Sequence, residues 1–172
     1  MGAACARMFK TSLLTTLFVI GASGGAHAGG QAGSIGVGTE YTLSRIGGVS
    51  VNYDAGLFHV GGSLGYSDPA GANNSRFQIA GRFFYHVHHT AFADFGLGGQ
   101  IGLDSVPGTM GANRGTNLFI EPGFEIRAFL SSNVALSANG GFVIGTADAS
   151  EFDIGGSTTG VAGGFGIHYY FY

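Results

Sequence analysis

From residue 35 onward the chain alternates with a period of two, and its two parities carry the reverse of what a water-soluble protein needs. Ile35, Val37, Thr39 and Tyr41 share one parity, with Gly36, Gly38 and Glu40 between them, which is the pattern of a strand with one larger apolar face and one small or polar face. The same texture returns at Val49–Tyr53, Phe58–Tyr66, Phe77–Tyr85, Phe95–Leu103, Leu118–Ile126, Val134–Ile144 and Val161–Phe171, giving eight segments. Between the apolar residues the other parity reads His59, Gly61, Ser63; Gln78, Ala80, Arg82; Asp94, Gly96, Gly98, Gln100; Glu121, Gly123, Glu125, Arg127; Ser137, Asn139; and Gly164, Gly166, His168. A soluble barrel buries its large apolar side chains and wets the others. Lipid reverses that preference: a closed barrel pairs all its backbone groups and turns its apolar face to hydrocarbon. The expected fold is all-β, a closed antiparallel up-and-down transmembrane β-barrel of about eight strands.

Connection lengths agree with such a barrel, which has short turns at one end and longer loops at the other. Short connections fall at 54–56, 86–90 and 130–133; longer polar ones fall at 67–75, 104–117 and 146–160, and the first outer connection, 44–48, is short. Tyr53, Phe58, Tyr85, Phe124, Tyr169 and Phe171 lie near the predicted periplasmic strand ends, and Tyr41, Tyr66 and Phe77 near the outer ends, as two interfacial aromatic girdles require. No later stretch is long and apolar enough for a transmembrane helix.

The first residues read as an export signal. Arg7 and Lys10 precede an apolar run from Leu13 to Ile20, and small residues lead to Ala26-His27-Ala28, so cleavage is expected after Ala28, dividing the chain into a signal peptide, 1–28, and a barrel domain, 29–172. Met8-Phe9-Lys10 itself has the form of a signal start, which leaves the translation of residues 1–7 open. Cleavage removes Cys5 and every lysine, leaving five arginines against ten carboxylates. That composition excludes a disulfide framework, a thiol nucleophile and a cysteine zinc site, and it offers no basic stripe for nucleic acid. The 34 glycines, without a triplet repeat and with 3 prolines, fit neither collagen nor solvated disorder.

The C-terminal run Gly166-Ile167-His168-Tyr169-Tyr170-Phe171-Tyr172 resembles the aromatic-ended last strand by which outer-membrane β-barrels are recognised for assembly. Gly166, Tyr169 and Phe171 carry that match, with Tyr172 as an extra residue. With the leader, size and strand count, the chain resembles the small barrels of the OmpA/OmpX-like superfamily. The resemblance implies residence in the outer membrane of a Gram-negative-type bacterium, contact with lipid and lipopolysaccharide, transit on periplasmic chaperones and insertion by the barrel assembly machinery. A monomer is expected.

Six charged residues, Glu40, Arg82, Asp94, Glu121, Glu125 and Arg127, share the inward parity. In a narrow lumen such charges must pair or neutralise, and a network that rigidifies the barrel is the leading reading, with a proton or ion pathway second. Arg82 and Asp94 flank one short turn and are expected to pair, with Arg127 close by. His86, His88 and His89 form a histidine cluster in which His86 and His88 would share a face; with no third ligand evident, a wet turn is expected rather than a metal site. Asp148, Glu151 and Asp153 gather in the last outer loop without calcium-loop spacing. The glycine pairs lack the lysine of a phosphate loop, and no His-x-Ser pair suggests a nucleophile and base. Neither a catalytic set nor a cofactor is expected. The sequence points to a non-catalytic scaffold displaying its outer loops for envelope integrity, adhesion or binding, then to a narrow or gated pore, and third to a lipid-modifying enzyme.

Overall fold

The structure, a computed structural model, describes residues 30–42, 46–70, 74–107, 114–146, 152–154 and 162–172. The leader, its cleavage site after Ala28, and Asp148 and Glu151 lie outside the described residues, as do the side chain of Asp153 and parts of all four outer connections. Among the described residues there are ten strands: β1 (Ile35–Thr42), β2 (Gly48–Asp54), β3 (Phe58–Ser67), β4 (Arg76–His89), β5 (Ala93–Val106), β6 (Gly115–Phe129), β7 (Val134–Gly141), β8 (Ile144–Thr146), β9 (Phe152–Ile154) and β10 (Ala162–Phe171). Successive strands pair antiparallel from β1 to β7, and β10 joins β7 to β1, closing an eight-stranded barrel.

The strands β7 and β8 are one barrel strand with a break. Both keep the same register against β6, Gly123 facing Gly141 and Ile120 facing Ile144. Between them stands Pro122, which accepts a hydrogen bond from Phe142 N at 3.1 Å but has no N–H to return one, so the ladder opens there. The segment expected as a long outer loop then adds β9 as a hairpin on β8. With β5 and β6 paired out to Val106 and Gly115, these strands rise beyond the shorter β1 and β2 on the side of the long connections.

Each short turn is tied by its own side chain. Asp54 Oδ1 accepts from Gly56 N at 2.8 Å, with Gly56 at φ 88°, a left-handed conformation that glycine adopts without cost. Thr90 Oγ1 accepts from Ala93 N at 2.9 Å, and Ser131 Oγ from Val134 N at 3.2 Å. These three turns share one end with Ile35 and Phe171, and therefore with both ends of the barrel wall.

One turn lies later than its sequence suggested. The strand β4 continues through the histidines to His89, with a bulge between His86 and His88, and the turn is Thr90–Phe92. The register therefore sets Arg82 opposite Gln100 and His89 opposite Asp94, so the expected Arg82–Asp94 pair does not form. The bulge also changes parity: Val87 is the extra residue, and His86 shares the inner face with His89 rather than with His88.

The faces are inverted as the alternation implies. Val37, Val51, Leu64, Ile79, Ile101, Ile120, Leu136 and Ile167 are all exposed, whereas Asp54, Asn52, His59, Arg127, Glu125 and His168 are buried. Aromatics meet near the strand ends, where exposed Tyr41 faces Phe165, Tyr66 faces Phe77, Tyr85 faces the half-buried Phe58, and Tyr169 lies edge-on to Phe171 at 5.0 Å.

Candidate functional site

The lumen is where the polar chemistry of this chain collects. Its packing begins with glycine: a Cβ on Gly36 would lie 2.7 Å from the Tyr170 ring, one on Gly61 would lie 2.8 Å from Arg82 Nε, and one on Gly166 would lie 2.6 Å from Ser137 Oγ. The missing side chains of these inward glycines are the room that Tyr170, Arg82, Ser137 and Glu40 occupy. An eight-stranded barrel has only enough interior for side chains, and here large polar ones on some strands are matched by glycine on their neighbours.

Two guanidinium groups organise this interior. Arg82, on β4, pairs with Glu40, donates to Asn52 Oδ1 through Nε at 3.0 Å and Nη2 at 2.7 Å, and lies 3.8 Å from Glu125. Arg127, on β6 and 1% exposed, reaches Asp54 at 2.7 Å, Asp94 at 2.6 Å, His86 Nε2 at 3.0 Å and the Tyr170 hydroxyl at 3.1 Å. Histidines join the two groups: His59 Nδ1 is 2.9 Å from His86 Nε2, and its Nε2 is 3.0 Å from Glu125 Oε1. The forked, planar geometry of arginine suits this, since one guanidinium can hold several acceptors at once.

Each charged residue expected in the lumen has a definite place. Glu40, Arg82 and Glu125 share the middle of the barrel, Asp94 and Arg127 lie toward the end with the short turns, and Glu121 accepts from Gln100 at 2.8 Å toward the loop end. Asn52, Asp54, His59, His86, His168 and Tyr170 also join this network, although the sequence pattern did not assign them to it. Parity already placed His59 and His168 inward, and Tyr170 stands on the same inward parity as His168. Asp54 read only as a turn residue, although one of its oxygens holds the turn and the other holds Arg127.

A serine and a histidine do meet here. Ser50 Oγ is 2.6 Å from His168 Nε2, and Glu40 lies 3.8 Å from the same nitrogen. A relay needs the carboxylate on the other ring nitrogen and a substrate at the hydroxyl. Ser50 is 1% exposed, so the three residues pack the interior and do not form a nucleophile, base and orienting acid.

No family model matches the sequence, and a search of curated proteins finds no match. Among solved structures, the N-terminal β-barrel domain of Pseudomonas aeruginosa OprF is similar, with a TM-score of 0.59 at 11% sequence identity, over 83% of this chain and 99% of that domain. The chain has the fold of the OprF barrel. At that identity the shared property is the architecture, an eight-stranded closed barrel, and the OprF domain spans nearly its whole length in the match.

Proposed function

We propose that the chain is a non-catalytic outer-membrane β-barrel whose packed lumen makes it a rigid scaffold for its outer loops. The observation that carries this reading is the pairing of an apolar outer face with an interior that holds buried ion pairs. Exposed Val51, Ile79 and Ile120 belong in hydrocarbon, while Arg82 and Arg127 and the carboxylates around them occupy the middle of the lumen as buried ion pairs. The long connections, on the end away from both termini of the wall, would stand outside the cell, where loop chemistry decides what is bound. Lipid and lipopolysaccharide would surround the wall. Gly166, Tyr169 and Phe171 on β10 would serve the assembly machinery after transit on periplasmic chaperones, and the barrel would act as a monomer in a Gram-negative-type bacterium. An enzymatic role has little support, because His59, His86 and His168 are all used inside the lumen.

The second reading is a narrow or gated pore, and planar-bilayer recording separates the two. The refolded chain is expected to give no steady single-channel openings at neutral pH. Regular openings that shift or vanish in Arg82→Ala would replace the scaffold with a pore.

A further inference from the structure

We infer that His86, His89 and Asp94 form a binding site for one divalent transition-metal ion of the zinc type at the short-turn mouth of the barrel. The lumen has a charge imbalance to begin with. Among the described residues, the buried carboxylates are Glu40, Asp54, Asp94, Glu121 and Glu125, and the buried arginines are Arg82 and Arg127, so negative charge is in excess. In a poorly solvated interior that excess calls for protons or for a cation.

The bulge at Val87 supplies the site's geometry. It turns His86 and His89 to the same face, with rings stacked at 6.4 Å and 13° apart, and the facing residue on β5 is Asp94. One donor atom from each residue lies within 4.8 Å of the others. Asp94 Oδ2 takes Arg127, whereas the buried Oδ1 pairs with Nδ1 of His89. An imidazole nitrogen and a carboxylate oxygen held this close share a proton or, once that proton is displaced, a metal ion.

His86 is oriented for the same task. Its Nδ1 donates to Gly56 O at 2.8 Å, so the lone pair sits on Nε2, the arrangement by which a backbone carbonyl sets the tautomer of a metal-binding histidine; that lone pair now faces Arg127 at 3.0 Å and His59 Nδ1 at 2.9 Å. Metal binding at this nitrogen displaces both donors: Arg127 keeps Asp54 at 2.7 Å and the Tyr170 hydroxyl at 3.1 Å, and His59 keeps Glu125 at 3.0 Å. The His89 side chain is 50% exposed, so an ion can enter from the mouth and keep a water in its fourth position. Two imidazoles and one carboxylate favour zinc over magnesium or calcium, which prefer all-oxygen sites.

The test uses the full chain refolded in detergent without a polyhistidine tag, with zinc chloride as the probe in titration calorimetry. One saturable equivalent is expected. His89→Ala and Asp94→Asn should each weaken binding about tenfold or more. His88→Ala, a histidine of the same strand that does not share the inner face, should leave the affinity unchanged. His89 is half exposed, so its variant keeps the barrel, which heat-modifiable gel migration verifies, and it carries the test even where Asp94→Asn fails to fold. Absence of saturable zinc binding, equal binding of magnesium, or a His89→Ala affinity equal to that of the unaltered chain would overturn the site.

Discussion

Arg127→Leu is expected to cost the barrel about 3–5 kcal/mol of stability, the range for removing one partner from a buried ion pair. The guanidinium is the shared partner of Asp54 and Asp94, which are 0% and 2% exposed, and without it two buried carboxylates lose their common counter-charge. The loss reaches further, since the Tyr170 hydroxyl and His86 Nε2 lose the same group, and Tyr170 packs over Gly36. Arg127→Lys should restore only part of the loss, because one ammonium cannot address acceptors on four strands at once. Arg114→Leu is the fitting comparison. Its guanidinium donates to Ser75 at 2.7 Å on the exposed loop side, and its removal should change stability by less than about 1 kcal/mol. Urea titration of heat-modifiable gel migration measures all three; equal midpoints for Arg127→Leu and Arg114→Leu would show that the interior pairs do not hold the barrel together.

The second large effect concerns the outer face. Val51, 49% exposed, sits mid-strand on β2 with Val37 and Gly62 beside it. In water, replacing a half-exposed valine by arginine on a strand costs little. In hydrocarbon the same change should cost about 2–4 kcal/mol, since a charge at the bilayer midplane has no solvent. Val51→Arg is therefore expected to lower the unfolding free energy in phospholipid vesicles by that amount, whereas Val51→Leu should be close to neutral. A neutral Val51→Arg would place this face in water.

Alternation made the wall of the barrel legible from the sequence. Period two is a local property, so each strand announced which side chains faced lipid. The partners inside the lumen were less legible, because they depend on register, and a single bulge changes register for every residue beyond it. His86–His89 looked like a turn because polar residues crowd there; the strand runs through them, Arg82 meets Glu40 and Asn52 rather than Asp94, and His89 takes the place next to Asp94. Pro122 gave a readable signal of a ladder break that the strand count absorbed without notice. Tyr170 shows another limit: nothing local tells that a large ring will fill the space above Gly36, since the two meet only when β10 closes on β1.

Because no cysteine follows residue 5, the inverted faces of the barrel are open to site-directed spin labelling. Single cysteines at Val37, Val51, Leu64, Ile79 and Ile120, labelled with a nitroxide in lipid vesicles, should show high accessibility to molecular oxygen and low accessibility to a water-soluble nickel chelate. Labels at the turn residues Ala55, Phe92 and Ser131 should show the opposite. Nickel accessibility as high at the five wall positions as at the turns would mean that water, not lipid, covers the apolar face, and would contradict the barrel's placement in a membrane.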